Sequence, residues 1–179
     1  MKSLLISLIA VFSAIMICFG VSCYYSYFYP FDYREIIVVN AEKYGVDAEL
    51  VASIINVESS YNPYARSNKG ALGLMQVLPS TAEWIAGRLG RDASSIDLFE
   101  PSINIQFGTY YIAYLINYFG DENLAICAYN AGMGNVKKWL RVAEYSSDGE
   151  NLDKIPFKET KKYLKSVQKN VRIYKNKFI

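Results

Sequence analysis

The sequence predicts an all-α fold, with one compact helical domain behind an apolar N-terminal segment. Three observations support this prediction. Apolar residues recur at helical spacing along most of the chain, residues that start and stop helices flank these runs, and no segment shows the two-residue alternation of a half-buried strand. With 179 residues, of which 52% are hydrophobic, the chain has room for one ordinary folded domain and a short extra segment.

The N-terminal segment has the length and composition of a membrane-spanning helix. Residues 3–31 carry no charge, and Leu4 to Val21 are almost wholly apolar. This run exceeds the roughly 20 residues that a helix needs to cross a bilayer. The aromatic residues between Tyr24 and Tyr29 suit the interface between membrane and water. We therefore interpret residues 1–31 as an uncleaved transmembrane anchor.

Two alternatives to the anchor remain open at this stage. A cleaved signal peptide could end at Gly20-Val21-Ser22, although its apolar run is normally shorter. The segment before Cys23 also resembles a lipoprotein cleavage box, but Gly20 stands where a large aliphatic residue is usual. All three interpretations place residues 32–179, the predicted helical domain, outside the cytoplasm in the cell envelope.

The first helices of the domain are predicted from their termini. One helix runs from Tyr33 to Tyr44, because Gly45 is a natural helix stop. Asp47 can cap the next helix. The apolar positions of that helix recur every three or four residues: Leu50, Val51, Ile54 and Ile55. Ser80 and Glu83 have the spacing of a capping box and predict a third helix.

The later helices follow the same signals. Pro101 suits the first position of a long helix that ends at Gly120. A short helix is predicted from Glu122 to Tyr129, stopping near Gly132, and another from about 135 to 140. The last helix begins after Pro156. It carries a regular apolar face: Tyr163, Leu164, Val167, Val171 and Tyr174.

Composition excludes several kinds of catalytic site. The chain has no histidine, so it cannot use Ser-His-Asp or Cys-His nucleophiles or histidine zinc ligands. Its three cysteines are too few for a zinc tetrad or a disulfide framework. Cys127, the only cysteine after residue 31, is predicted to be a buried apolar residue. Acid–base chemistry must therefore use carboxylates, Tyr, Lys or Cys.

Charge is distributed unevenly along the chain. Residues 1–157 carry 11 cations and 16 acids, whereas residues 158–179 carry 8 cations and one acid. The basic segment is either the solvated face of an amphipathic helix or a surface that attracts an anionic partner.

Glu58 interrupts the pattern of its predicted helix. It lies seven, four and three residues after Val51, Ile54 and Ile55, so it projects from the apolar face. It also lies at the helix C-terminus, where the dipole disfavours negative charge. Burial and the dipole should both raise its pKa, as a general acid requires. The alternative is a frayed last turn that turns Glu58 to solvent, and periodicity alone fits both.

The segments around Glu58 suit a carbohydrate ligand. Residues 59–64 and 128–132 combine polar and tyrosine side chains, and a tyrosine offers both an apolar ring face and a hydroxyl. Gly70 and Gly73 indicate a close backbone approach or unusual dihedral angles, and the alternative is simply a tight turn before the next helix.

Four blocks of sequence together resemble the soluble lytic transglycosylase family, which shares its fold with goose-type lysozyme. They are ESSYNPYARS (Glu58–Ser67), GALGLMQVLPSTA (Gly70–Ala82), AYNAG (Ala128–Gly132) and IPFKETKKY (Ile155–Tyr163). The segment from Asn104 to Leu115 also fits, and the resemblance extends from about Ile36 to Tyr174. Glu100, before Pro101, is a mild departure, because the family often has Asp there.

The resemblance implies a lysozyme-like domain and a role for each matching residue. Glu58 is the sole catalytic acid and base. Six further residues are implied to bind the substrate. Ser67 and Gln76 position the sugar, and Tyr129 lines the cleft with support from Asn130. Glu159 and Tyr163 belong to the block that closes the cleft. Asn130 and Glu159 alternatively only brace the wall.

The implied reaction cuts peptidoglycan glycan strands between N-acetylmuramic acid and N-acetylglucosamine and leaves 1,6-anhydromuramic ends. It needs no metal or cofactor. The expected partners are glycan strands and, through the N-terminal helix, the membrane, but not nucleic acid. We expect a monomer, with other envelope proteins as further candidate partners. A lysozyme-like hydrolase that uses water and a non-catalytic wall-binding or scaffold module are the alternatives.

Overall fold

The computed structural model describes residues 2–178, and these residues form an all-helical fold, as predicted. Residues 1 and 179, the ends of the two predicted segments, lie outside the described residues. The helices are α1 (Lys2–Phe28), α2 (Arg34–Tyr44), α3 (Ala48–Ser59), α4 (Pro79–Arg88), α5 (Pro101–Phe119), α6 (Glu122–Ala131), α7 (Met133–Leu140) and α8 (Lys158–Phe178). A short 3-10 turn at Ala93–Ser95 was not predicted. Extended pairing in the described part is limited to isolated bridges at Leu72, with Arg66 and with Val77.

Helix α5 lies at the centre of the domain. It contacts α2, α4 and α6, while α3 packs along α8 and α6 contacts both α7 and α8. The face of α5 that meets these neighbours is fully buried and consists mainly of large apolar side chains: Ile105, Phe107, Ile112 and Leu115. Burial of this face favours the assembly of the helices around it.

Most predicted helix termini are confirmed. Gly45 and Gly120 adopt left-handed conformations, with φ of 68° at each, immediately after α2 and α5. Pro101 is the first residue of α5, and the Glu100 carboxylate accepts hydrogen bonds from the backbone N–H groups of Ser102 and Ile103. Glu100 therefore performs the capping role for which a shorter Asp would also serve. Helix α7 begins two residues before its predicted start.

Two predicted caps are wrong. Helix α4 begins at Pro79, so Ser80 lies inside the first turn and cannot form a capping box with Glu83. The fixed φ of proline suits the first helical position and moves the start of the helix forward. Asp47 does precede α3, but its side chain makes no capping hydrogen bond.

Helix α1 stands apart from the domain along its length and joins it at its end. Its segment Val11–Phe28 is long and apolar enough to cross a membrane, and none of it is buried inside the protein. Tyr29, by contrast, is buried against the ring of Tyr174. The Tyr174 hydroxyl donates a 2.8 Å hydrogen bond to the Pro30 carbonyl, and the Asn56 amide donates one of 3.1 Å to the Phe28 carbonyl. The chain therefore passes from α1 into the domain without a free linker.

Candidate active site

Glu58 lies on the last turn of α3, on the helix face that the sequence predicted. Val51, Ile54 and Ile55 on that face are fully buried, and Glu58 itself is partly buried. The last turn does not fray, because the Ser59 hydroxyl donates a 2.8 Å hydrogen bond to the carbonyl of Leu74. The structure therefore contradicts the alternative in which Glu58 points freely into solvent.

The carboxyl of Glu58 contacts Tyr163 of α8. The Tyr163 hydroxyl donates a 2.7 Å hydrogen bond to Oε1 of Glu58. Burial raises the pKa of Glu58 from its ordinary value of 4.5 to about 7, the Tyr163 hydrogen bond opposes that rise, and the charge of Glu159 adds to it. A carboxyl with a pKa near neutrality can both donate and accept a proton at physiological pH.

The loop between α3 and α4 forms the wall beside Glu58, and Asn104 of α5 holds it in place. The Asn104 side chain is fully buried. Its Oδ1 accepts a 2.7 Å hydrogen bond from the backbone N–H of Met75, and its Nδ2 donates to the carbonyls of Leu72 at 2.8 Å and Leu98 at 2.7 Å. One amide therefore satisfies the buried N–H of Met75 and the buried carbonyl of Leu98. It also adds a second hydrogen bond to the Leu72 carbonyl, which accepts another from the Val77 N–H.

Gly73 is required by this arrangement. Its φ of 74° is left-handed, and a Cβ atom there would collide with the Leu98 carbonyl and the Asn104 amide. Gly73 thus has both the close approach and the unusual dihedral angle. Gly70 has only the unusual dihedral angle, a φ of 83°, in a tight turn where its N–H donates a 3.0 Å hydrogen bond to the Ser67 carbonyl.

Three of the predicted substrate-binding residues meet in one cleft of about 250 Å³: Gln76, Tyr129 and Asn130. The Tyr129 hydroxyl donates a 2.9 Å hydrogen bond to the Met75 carbonyl. The pKa of the Tyr129 hydroxyl is raised, mainly because the group is buried and also because the charge of Glu58 lies nearby. Asn130 Oδ1 accepts a 2.7 Å hydrogen bond from the hydroxyl of Thr160, a residue of α8.

The side chains of Gln76 and Ser67 form hydrogen bonds with backbone groups of the loop itself. The Gln76 amide donates to the carbonyls of Gly73 at 2.8 Å and Ala65 at 3.2 Å, and its φ of 49° is left-handed. The Ser67 hydroxyl accepts a 3.0 Å hydrogen bond from the Ala71 N–H. Ser67 is not among the residues that line the cleft beside Gln76.

Glu159 and Tyr163 lie one turn apart on α8 but in different surroundings. Tyr163 is buried at the Glu58 carboxyl, whereas Glu159 is exposed and acts on Glu58 through its charge.

Three residues that support the site were not predicted as site residues: Ser59, Asn104 and Thr160. Each acts on a predicted residue or on the loop beside it. Asn104 could have been found, since a polar side chain in the apolar pattern of a central helix needs buried partners. Ser59 and Thr160 gave no comparable signal.

Cys127 is buried in α6, as predicted, and burial raises the pKa of its thiol to about 11. A thiol that stays protonated at neutral pH is a poor nucleophile. Glu58 is therefore the better candidate for the chemistry.

The chain is similar to lytic murein transglycosylases in sequence. It is 33% identical over 143 residues to a soluble lytic murein transglycosylase of Salmonella typhimurium, covering 78% of this chain and 22% of that protein. It is 41% identical over 128 residues to a membrane-bound lytic murein transglycosylase C of Yersinia enterocolitica, covering 65% of this chain and 34% of that protein. The chain thus spans about a fifth to a third of the length of these relatives.

Solved structures agree with the sequence relatives. An inactive mutant of the lytic transglycosylase Slt of Pseudomonas aeruginosa superposes with a TM-score of 0.73 at 32% identity, covering 84% of this chain and 25% of that one. The 70 kDa soluble lytic transglycosylase of Escherichia coli superposes with a TM-score of 0.72 at 28% identity, again covering 84% and 25%. The fold is therefore that of the domain predicted from the four sequence blocks.

A family model for the transglycosylase SLT domain matches residues 35–152, about two thirds of the chain. That range contains Glu58, the loop that Asn104 holds, and the cleft with Gln76 and Tyr129. This chain belongs to the transglycosylase SLT domain family.

Proposed function

We propose that this chain is a lytic transglycosylase that cleaves the β-1,4 bond between N-acetylmuramic acid and N-acetylglucosamine in peptidoglycan. One observation carries the proposal. Glu58 is a partly buried carboxyl with a pKa of about 7, it accepts a hydrogen bond from Tyr163, and its charge acts on Tyr129, which lines the cleft. The names of the related proteins support the same activity and substrate.

In the first step, protonated Glu58 donates its proton to the glycosidic oxygen, and the bond from that oxygen to the anomeric carbon of muramic acid breaks. The substrate's own acetamido group stabilises the positive charge that develops on this carbon. Glu58 becomes a carboxylate, and the Tyr163 hydroxyl stabilises that anion with the hydrogen bond it already donates.

In the second step, the Glu58 carboxylate takes the proton from the C6 hydroxyl of the same muramic acid. The C6 oxygen bonds to the anomeric carbon and closes the 1,6-anhydro ring, which returns Glu58 to its protonated state. A pKa near 7 suits both steps, because one group must give and then accept a proton at the same pH.

The remaining predicted residues take supporting roles in this proposal. Tyr129 and Gln76 line the cleft and orient the sugar, and Asn130 braces the cleft wall against Thr160. Ser67 maintains the loop through Ala71. Glu159 keeps the pKa of Glu58 high by its negative charge.

A hydrolase that admits water is the second candidate, because Glu159 offers a second carboxyl near Glu58. Glycosidases that use two carboxylates hold them about 5–9.5 Å apart. In that case Glu159 would activate the water. An intramolecular hydroxyl needs no such activation, since tethering gives it an effective concentration of roughly 10⁵–10⁸ M when it is well oriented.

For the location, we propose that residues 1–31 anchor the protein in the membrane and that residues 32–179 act outside the cytoplasm. The apolar segment Val11–Phe28 and the membrane-bound relatives support this. The protein should then stay in the membrane fraction after carbonate washing, and its tryptic peptides should include residues before Ser22. A soluble protein that starts near Cys23 would contradict the anchor.

The activity is tested by digesting purified peptidoglycan with the full-length protein and its Glu58→Gln variant in detergent. Glutamine keeps the shape and hydrogen-bonding capacity of Glu58 but cannot donate the proton. We expect activity to fall by at least the roughly 10²–10⁴-fold that general acid–base catalysis contributes. A fully active Glu58→Gln protein would exclude Glu58 as the catalytic acid.

A further inference from the structure

A row of aromatic rings continues from Tyr129 through Tyr111 and Trp84 to Tyr114. The ring of Tyr129 lies 5.5 Å from that of Tyr111, which lies 6.3 Å from Trp84, and Trp84 lies 4.8 Å from Tyr114, all measured between ring centroids. None of the rings beyond Tyr129 takes part in the chemistry proposed for Glu58. They extend the surface on which a ligand can lie.

These rings line a second cavity of about 290 Å³, formed by Ser80, Thr81, Trp84, Tyr111, Tyr114 and Met133. Two of these residues, Thr81 and Tyr111, also line the cleft that contains Gln76 and Tyr129. The two cavities therefore adjoin and form one groove that runs from Gln76 and Tyr129 to Trp84 and Tyr114.

The far end of the groove is supported from behind. Trp84 packs against Tyr110 at 6.2 Å, and Tyr110 packs against Tyr44 of α2 at 5.4 Å. The Tyr44 hydroxyl in turn accepts a 3.2 Å hydrogen bond from Gln106. Trp84 and Tyr114 are only partly buried, so their rings are both fixed and accessible. A rigid aromatic surface binds a ligand with little loss of side-chain entropy.

The charge of the groove suits an anionic ligand. No Asp or Glu lines either cavity, although acids outnumber cations in residues 1–157. Lys69 lines the part near Gln76. Arg88 lines neither cavity, but its guanidinium lies at the edge of the groove, 4.9 Å from the Trp84 ring and 5.5 Å from the Tyr114 ring. Muramic acid carries a lactyl group that ends in a carboxylate or in the peptide stem, which itself carries carboxylates.

We propose that Trp84, Tyr114 and Arg88, here called the Trp84 platform, form a remote binding site for the glycan strand that Glu58 cleaves. A sugar ring stacks on the aromatic rings, as pyranose faces do on tyrosine and tryptophan, and Arg88 pairs with a carboxylate of the same strand. The platform makes the enzyme prefer strands long enough to reach it. This inference rests on the proposed function, since it assigns the substrate and the cleavage point.

Trp84 allows a test that does not depend on activity. The chain has only two tryptophans, and the second, Trp139 of α7, is buried against Phe157. In a full-length Glu58→Gln, Trp139→Phe protein in detergent, Trp84 is the sole tryptophan that emits. We expect peptide-bearing glycan octasaccharides to change this emission at concentrations where the corresponding disaccharides do not. Emission that does not respond to octasaccharides would overturn the inference.

Kinetics supply the second measurement. For full-length protein with Glu58 intact, we expect Trp84→Ala to lower the ratio of kcat/KM on octasaccharides to that on tetrasaccharides by roughly tenfold, which is the effect of one lost ring contact. The matched control is Tyr118→Leu. It removes an exposed ring that lies 6.4 Å from the ring of Tyr114 but lines neither cavity. The control should keep the ratio of the unsubstituted protein.

The outcomes separate the inference from the proposed function. A Trp84→Ala protein with an unchanged ratio shows that the platform does not contact the strand. If the unsubstituted protein cleaves no glycan, the proposed function is wrong, and the emission of Trp84 still decides whether the platform binds. If Trp84→Ala fails to fold, Arg88→Gln on the exposed end of α4 tests the same ratio, with a smaller expected loss of about threefold.

Discussion

The hydroxyl of Tyr163 donates a 2.7 Å hydrogen bond to Oε1 of Glu58, joining residues 105 positions apart in the sequence. Helix α8 thereby stabilises the ionised form of a carboxyl whose burial favours the neutral form. The two opposing effects leave the pKa of Glu58 near neutrality. Proton donation and acceptance by Glu58 thus both depend on where α8 packs against α3.

The first prediction concerns the alkaline limb of the pH–rate profile. In the unsubstituted protein, kcat/KM should fall as pH rises through about 7, where Glu58 loses its proton. Tyr163→Phe removes the hydrogen bond that lowers the pKa of Glu58, so the limb should move to higher pH by roughly one unit, the equivalent of about 1.4 kcal/mol. Folding should be retained, because phenylalanine fills the same buried volume. A limb that stays in place, or moves to lower pH, would contradict this role for Tyr163.

The second prediction concerns stability and its dependence on pH. Because folding raises the pKa of Glu58 from 4.5 to about 7, the unfolded chain loses this proton first as pH rises. The contribution of Glu58 to stability should therefore fall between pH 4.5 and 7 and stay low above that range. Relative to the unsubstituted protein, Glu58→Gln should gain stability across that window, by up to about 3 kcal/mol.

Thermal unfolding of both proteins in detergent at several pH values measures this difference. If the two proteins differ in midpoint by the same amount at pH 5 and at pH 8, the Glu58 carboxyl has the same pKa in the folded and unfolded chains, which would contradict the prediction.

The third prediction concerns the loop beside the site. Asn104→Leu leaves the buried N–H of Met75 and the buried carbonyl of Leu98 without their partner, and it removes one of the two hydrogen bonds to the Leu72 carbonyl. We expect the free energy of unfolding to fall by roughly 3 kcal/mol or more. The matched control is Gln168→Leu, which removes a single hydrogen bond to Asn123 at the surface. The control should change stability by less than about 0.5 kcal/mol.

Chemical denaturation of the three proteins gives these values. If Asn104→Leu and Gln168→Leu destabilise the protein equally, Asn104 does not support the loop as described.

Local sequence signals predicted most of the fold because helix termini are local events. Gly45, Pro101 and Gly120 act through their own backbone preferences, so the ends of α2 and α5 could be read directly. The prediction of a capping box at Ser80 was wrong for a local reason as well, because the helix begins at Pro79 and Ser80 lies inside its first turn. The Trp84 platform shows the limit of local signals, because Trp84 and Arg88 of α4 meet Tyr114 of α5 only through the packing of the two helices.

The site was predictable only in part. The periodicity around Val51 fits both a Glu58 on the buried face of its helix and a Glu58 turned to solvent. Only the resemblance of the four sequence blocks to a family favours the first. Which groups meet Glu58 depends on how α3, α5 and α8 pack, and the spacing of residues along one helix holds no information about that. The supporting contacts of Asn104 with Leu98 and of Thr160 with Asn130 belong to this class.

The most direct test of the proposal is the chemistry of the cleaved end. Purified peptidoglycan digested by the full-length protein should yield muropeptides with 1,6-anhydromuramic ends, lighter by one water than the products of hydrolysis. Because these ends have no free anomeric hydroxyl, borohydride treatment should leave their masses unchanged. Predominantly reducible muramic ends would contradict the transglycosylase proposal and show that water is activated, with Glu159 as the first residue to substitute.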